Sequence, residues 1–419
     1  MFAERAKRAT NDGDAGREVG AAPLAGVALV VAAIGALLTF GVVGIGREGT
    51  LNFDGRVMYA AGRAWLAGLN PYDHDHLARA VAGLPNMDLT LAEFLYPPQA
   101  GALCVVIGAL PHAAGRVVWL LFNLAAIAAI ARGSIVLLER GSNGDRDRLG
   151  PWVLAAVVIG NPFTAHVVWM GQTSLLAFAS TMWAWIFARS RRHVLAGLCL
   201  GLAVFKPQLS FLVVLWLLVD RDWRTLAIAA ASALVLAAVP MFTQGPAGAF
   251  VAWIHGVRSG YDLPFNLPTA PHKVGLESLL AAGGVALPGV VSLALGFGAV
   301  IALWVVRAKI AWQDTLALIM AVTFTFSRHL HDYDYVGLAP AFASLWWWGR
   351  RRRALSSVLL ALPLLLFVPH RLLRGFHLPV LEQWRTMVIF AAGAAIFALG
   401  RADSAGKTGP EVAPSPRPA

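Results

Sequence analysis

Five polar stations interrupt an otherwise apolar chain, and each carries side chains able to hold a proton or an anion. They are Asp54 with Arg56 and Arg63; Tyr96-Pro97-Pro98; Gly171-Gln172; Lys206-Pro207-Gln208; and "SRHLHDYDY" at 327–335. Charge is expensive near lipid, so an aspartate a few residues beyond a long apolar run is either solvated or used. As a base, Asp54 would take a proton from a hydroxyl. As a structural group it would cap the helix that follows. Lys206 sits in a stretch from Val194 to Val219 with no other charge. An intramembrane lysine costs about 2.5–3.5 kcal/mol unless it faces a cavity or a partner. Pro207 opens the helix beside it and frees a backbone carbonyl. A cation next to broken helix suits an anionic head group such as a phosphate; the alternative is a lysine snorkelling from a span end.

Arg328, His329, His331, Asp332 and Asp334 fall within seven residues at the mouth of a span. Phosphate contact by Arg328 or His329 is expected there ahead of a metal site. Nor is a metal site expected at "DHDH", 73–76, because adjacent ligands along a chain do not guarantee one-sided geometry. Arg56, Arg63, Tyr96, Gln172, Gln208, His331 and Asp334 are the further candidates for a substrate cavity. Tyr96-Pro97-Pro98 also reads as a helix start, and Gly171-Gln172 as a turn. There is no P-loop, dinucleotide glycine pattern or zinc-spaced Cys/His set, so no cofactor and no metal is expected.

The elements that must position these residues are membrane helices. Of the 419 residues 58% are hydrophobic and 14% charged, against about 25% charged in a soluble domain. Apolar segments recur near 21–46, 97–111, 117–138, 151–168, 173–188, 194–219, 225–241, 290–306, 312–326, 336–348, 354–369 and 386–400. The fold class is therefore an all-α polytopic membrane protein, a bundle of about 10–12 helices. Several segments fall short of the roughly 20 residues of a straight span, as helices lining a cavity can. The net charge of +11 comes from short basic clusters between apolar runs. These are orientation charges, not a nucleic-acid signal. Cys104 and Cys199 both lie in apolar segments, which argues against a disulfide framework.

The polar tail 1–20 is expected in the cytoplasm, the membrane domain over 21–401, and a disordered tail over 402–419. Two long polar segments, 47–94 and 242–289, are expected as loops on the opposite side. Arg350–Arg353, with Arg307 and Lys309, mark cytoplasmic loops, which puts 327–335 on the outer face. Simple alternation places the basic "ARSRRH" ending at His193 outside, against the rule. Two half-helices meeting at Lys206-Pro207 would return it inside but break the parity upstream.

The stretches "FDGRVMYAAGRAWLAGLNPYD", "LYPPQAGALCVVIGALP", "GQTSLLAFAS", "LAGLCLGLAVFKPQLSFLVVLWLL" and "HDYDYVGLAPAFA" resemble, in order from about 53 to 343, glycosyltransferase family 87, also known as the DUF2029 family. The resemblance implies a GT-C-like enzyme of a bacterial inner membrane working on its outer face. It implies a polyprenyl-phosphate sugar as donor, mannose being the best known, and an envelope lipid or glycan as acceptor. By resemblance Asp54 is the first-loop base and Lys206 the cation of a Lys-Pro station. The segment 327–335 departs from members with a single His-Tyr pair; its "YDY" resembles a less defined subgroup. A transporter or flippase of lipid-linked saccharides is the alternative. It would show two related halves with matched broken helices, and no internal repeat is evident in the sequence.

Overall fold

The structure, a computed structural model, describes residues 23–43, 53–84, 87, 89, 93–141, 147–261, 263–270, 272–369, 372–373 and 378–405. The tail 1–20 and the start of the first long loop lie outside the described residues, as does the last tail beyond Ala405. The described elements are helical, joined by one short antiparallel pairing of Lys273 with His331. Among the described residues three helices are long and apolar enough to cross a membrane: α1 (Pro23–Val42), α5 (His112–Gly141, apolar over His112–Arg140) and α19 (Trp384–Ala405, apolar over Trp384–Asp403). The number rises to five if each of two bent pairs makes one crossing. These pairs are α6 (Gly150–Gly160) with α7 (Pro162–Met170), bent by 41°, and α11 (Trp223–Leu236) with α12 (Ala238–Gln244), bent by 52°.

Contacts give the direction of each leg. Gly26 faces Trp152, Gly160 faces Ala33 and Gly41 faces Ala165, so α1 runs parallel to α6 and α7. Trp119 near the start of α5 donates its indole N–H to Gly171 O at 2.8 Å, at the end of α7. Arg140 at the end of α5 donates to Ser190 Oγ at 3.1 Å, just past α8 (Ser174–Arg189), and lies over the Trp312 ring. Asp220 follows α10 (Phe211–Val219) and meets Arg189 at 3.3 Å and Arg307 at 3.8 Å. Asp147 meets Arg350 at 3.3 Å, and Asp403 meets Arg351 at 3.0 Å. Arg140, Asp147, Arg189, Asp220, Arg307, Arg350, Arg351 and Asp403 thus gather at one end, called here the basic end. Gly171 and the turns at Lys206 and 327–335 lie at the other, the polar end.

This arrangement differs from the expected spans in two ways, and together they resolve the parity. The apolar run 194–219 is not one crossing. It folds back at Lys206-Pro207 into α9 (His193–Ala203) and α10. Lys206 precedes a proline, which disfavours the α region, and takes φ −125° and ψ 74° there. The run 97–111, by contrast, is not a crossing at all. Its helix α4 (Gly101–Gly108) packs on α2 (Phe53–Leu66) at the polar end. Gly62 there touches the Cys104 carbonyl, where a Cβ would collide. Tyr59 of α2 donates to Leu110 O at 2.9 Å, ahead of the start of α5. One segment gains a leg and the other loses one, so "ARSRRH" falls at the basic end with Arg140 and Arg307.

At the centre stand α8 and α16 (Trp312–Phe326), mostly apolar and buried along almost their whole length. The outer layer at the polar end holds α2, α3 (His74–Ala80) and α4 from the first long segment. It also holds α13 (Pro246–Tyr261) and α14 (Leu276–Ala282) from the second. An aromatic cluster ties the two together. Trp65 and Tyr72 each pack on Phe94 at 5.3 Å, and Trp253 donates to Leu95 O at 3.1 Å. Asp73, the first residue of "DHDH", caps α3 by accepting from His76 N at 3.1 Å.

Candidate functional site

Four chain breaks bring polar residues to one point. The α6–α7 break is set by Asn161, whose Oδ1 accepts from Thr164 N at 2.8 Å ahead of Pro162. The helix α7 ends on Gly171 with φ 68°, a left-handed residue that glycine takes without penalty. The next amide, Gln172 N–H, closes back on Val167 O at 2.9 Å. This turn aims the Gln172 side chain into the bundle, where it is 5% exposed. The break at Lys206 delivers a lysine 4% exposed. After α16, residues 330–332 pair with 272–274 through Val274 N to Leu330 O (3.3 Å) and Asp332 N to His272 O (2.8 Å). Asp334 follows in a short helical turn, its Oδ2 accepting from His331 N at 3.1 Å.

Gln172 is the hub of the resulting network. Its Nε2 donates to Asp54 Oδ2 at 2.7 Å and to Tyr333 Oη at 3.2 Å. Its Oε1 accepts from Tyr96 Oη at 3.1 Å and Lys206 Nζ at 3.4 Å. Behind it, Lys206 Nζ donates to Asp334 Oδ1 and to Ser174 Oγ, each at 2.6 Å. Ser174 Oγ also donates to Asp334 Oδ1 at 2.6 Å. The lysine sits over the Tyr333 ring, on which His331 stacks at 5.2 Å.

The charges sort themselves by burial. Asp54, half-buried in the first turn of α2, has its carboxyl raised to about 6. Burial is the cause, offset first by the Lys206 charge and then by the Gln172 hydrogen bond. Arg56 is buried, and its charge reaches His112; Arg63 is exposed and donates to Ala80 O at 3.2 Å. His329 falls to about 3 and His331 well below the usual imidazole range. Burial comes first in both, then the Lys273 charge, so both rings are neutral at physiological pH. Arg328, at the surface, pairs with Glu277 at 3.4 Å. Asp332 is held below the carboxylate range although burial opposes this, because His272 and Arg385 each reach its Oδ2 at 2.9 Å.

Of the residues singled out from sequence, Asp54, Tyr96, Gln172, Lys206 and Asp334 therefore share one network, with His331 at its edge. Gln208 is half-buried on the turn after Lys206. Arg63 and Arg328 lie outside the network, and His329 brings no charge to it. Lys206 meets a carboxylate of the protein itself. Sequence reasoning missed Ser174 and Tyr333, a serine in an apolar run and a tyrosine among louder neighbours. It also missed Lys273, which is 2% exposed and whose Nζ has no hydrogen-bond partner. A lysine in a polar loop carries no signal of burial.

The arrangement offers a half-buried carboxylate with a pKa of about 6, oriented by an amide and backed by a buried ion pair. A carboxylate so placed is suited to accept a proton from a hydroxyl. The family model of glycosyltransferase family 87 matches residues 94–330, more than half of the 419-residue chain. Gln172, Lys206 and Lys273 lie inside that stretch; Asp54 and Asp334 lie outside it. No curated protein and no solved structure matches.

Proposed function

The chain belongs to glycosyltransferase family 87, and from that premise we propose that it moves a hexose from a polyprenyl-phosphate donor to a hydroxyl of an envelope lipid or glycan. Mannose is the sugar the resemblance favours. Asp54 is the base. The observation that carries this reading is the Asp54 carboxylate held at 2.7 Å by Gln172, with its pKa raised to about 6. The acceptor hydroxyl gives its proton to Asp54 as its oxygen forms the new bond to C1. The bond from C1 to the phosphate oxygen breaks, and polyprenyl phosphate leaves with the electron pair. A single displacement inverts C1, giving an α-linkage from a β-linked donor. The donor arrives in the membrane, so no nucleotide-binding fold is needed.

In this reading Lys206 is a positioning residue. Asp334 offsets its charge, and it holds Gln172, which holds Asp54. The basic end faces the cytoplasm by the positive-inside rule, so Asp54 works on the outer face of a bacterial inner membrane. Cysteines placed in 242–289 of the intact cell should react with an impermeant reagent; reaction only after the membrane is opened would reverse the orientation.

The decisive test is Asp54→Asn. Asparagine keeps the size and an oxygen for Gln172 but cannot accept the proton. Transfer of radiolabelled sugar from polyprenyl phosphate in proteoliposomes should fall by about 10²–10⁴-fold, with expression and donor binding intact. Near-normal turnover would reduce Asp54 to a first-turn helix residue and overturn the mechanism.

A further inference from the structure

A cavity of about 290 Å³ lies beside the network that holds Asp54: Asp54 is not in its lining, but Lys273 there feels the charges of Asp334 and Lys206. The cavity lies along the paired segments 272–274 and 330–332, and its lining includes His272, Lys273, Ser278, Asp332, Tyr335 and Arg385. Three polar atoms of the lining residues are buried with no hydrogen-bond partner: Lys273 Nζ, Asp332 Oδ1 and Tyr335 Oη. The first two belong to charged residues more than nine-tenths buried. Arg385 is satisfied: it donates to Asp332 Oδ2 at 2.9 Å and to the Leu366 and Val368 carbonyls. The two charged orphans do not pair with one another, although their residues line one cavity.

A buried ammonium without a partner is costly, and such a group normally loses its proton or acquires a counter-charge. Burial does draw Lys273 down to about 8, against the attraction of Asp334 and Glu277 and with the repulsion of Arg328 and Lys206. A simple anion would satisfy Lys273 and leave Asp332 Oδ1 bare. A metal ion would do the reverse. A ligand with a phosphate oxygen at one end and a hydroxyl donor at the other satisfies both. Glu382 also lines the cavity.

We infer that this cavity seats the sugar-phosphate head of the donor, with Lys273 Nζ donating to a phosphate oxygen and Asp332 Oδ1 accepting from a sugar hydroxyl. The assignment rests on the transferase reading. It gives the donor a cation that Lys206, already paired, does not supply.

The test is titration calorimetry on the purified full-length protein with three probes: farnesyl phosphomannose, farnesyl phosphate and inorganic phosphate. The glycosylated diester should bind wild type best. Lys273→Met should weaken it by about tenfold to a hundredfold, as for loss of a charge-assisted hydrogen bond, and Lys273→Arg should retain most of the affinity. Thermal unfolding guards against misfolding: Lys273→Met removes an unpaired buried charge, so its Tm should be no lower than wild type. Asp332→Asn should weaken the glycosylated probe more than farnesyl phosphate. Two results would overturn the assignment: unchanged binding of the glycosylated probe in Lys273→Met, or inorganic phosphate binding as tightly as the diester. The Asp54→Asn protein separates the two readings. It should bind the probe normally and not transfer. If Lys273→Met binds normally while Asp54→Asn still blocks transfer, the cavity assignment falls and the transferase reading stands. If wild type binds through Lys273 but transfers nothing, the transferase reading falls and the cavity remains a sugar-phosphate site.

Discussion

The two ends of the bundle treat charge in opposite ways. At the basic end Arg189–Asp220, Arg350–Asp147 and Arg351–Asp403 pair at 3.0–3.3 Å with the arginines 38–52% exposed. The buried acid there, Asp314, is satisfied by neutral donors, Ser344 Oγ at 2.6 Å and Trp348 Nε1 at 3.3 Å. At the polar end Lys206 and Asp334 are 4% and 0% exposed, Asp54 answers to a lysine it does not touch, and Lys273 has no partner. Exposed pairs cost little to make and contribute little. Buried ones carry a large desolvation cost and persist where packing or function holds them. The difference marks the polar end as the one where charge is expensive.

The strongest way to break the comparison is Lys206→Met. It leaves Asp334 buried without its cation, so stability should fall by about 3–5 kcal/mol, as for other broken buried pairs. Adding Asp334→Asn removes the stranded charge while keeping an acceptor for His331 N–H, and the double variant should recover much of that loss. Thermal unfolding in detergent measures both. Equal stability of Lys206→Met and wild type would mean the pair is solvated, and the two ends would not differ.

A smaller effect is expected in the pH profile. On the proposed mechanism Asp54 acts as a base only when deprotonated, and its carboxyl is raised to about 6. Activity, read as kcat/KM, should therefore be flat above that value and fall about tenfold per pH unit well below it. Gln172→Met removes the hydrogen bond that favours the carboxylate and should move the acid limb upward. A limb that stays in place would separate Gln172 from the base.

Much of the polar end was legible in sequence, for a physical reason. A charge or an amide in an apolar run is conspicuous because it is costly, and Asp54, Gln172 and Lys206 were found that way. Pairing was not legible. Nothing in the local sequence says that Lys206 meets Asp334, 128 positions away, or that burial strips His329 and His331 of charge. Composition also cannot tell a crossing from an apolar helix packed on its neighbour. The run 97–111 passed for a span because the fit of Gly62 against Cys104 is a tertiary fact. The hairpin at Lys206 hid inside one long apolar run, although Lys-Pro marked its turn.

The smallest expected effect serves as the control for the whole comparison. Arg351 and Asp403 pair at 3.0 Å, with side chains 43% and 18% exposed. Arg351 also lies 5.2 Å from the centre of the Trp347 ring, so its guanidinium keeps a second contact when the pair is lost. An exposed pair of this kind contributes about 0.2–1 kcal/mol, and salt screens it. Arg351→Gln should therefore lower stability by no more than about that amount at low salt, and by less as salt is raised. Transfer activity should stay at the wild-type level, since the residue is at the far end from Asp54. A salt-insensitive loss as large as that of Lys206→Met would show that the basic end also stores buried charge. The contrast between the two ends would then no longer single out the polar end as the place of the chemistry.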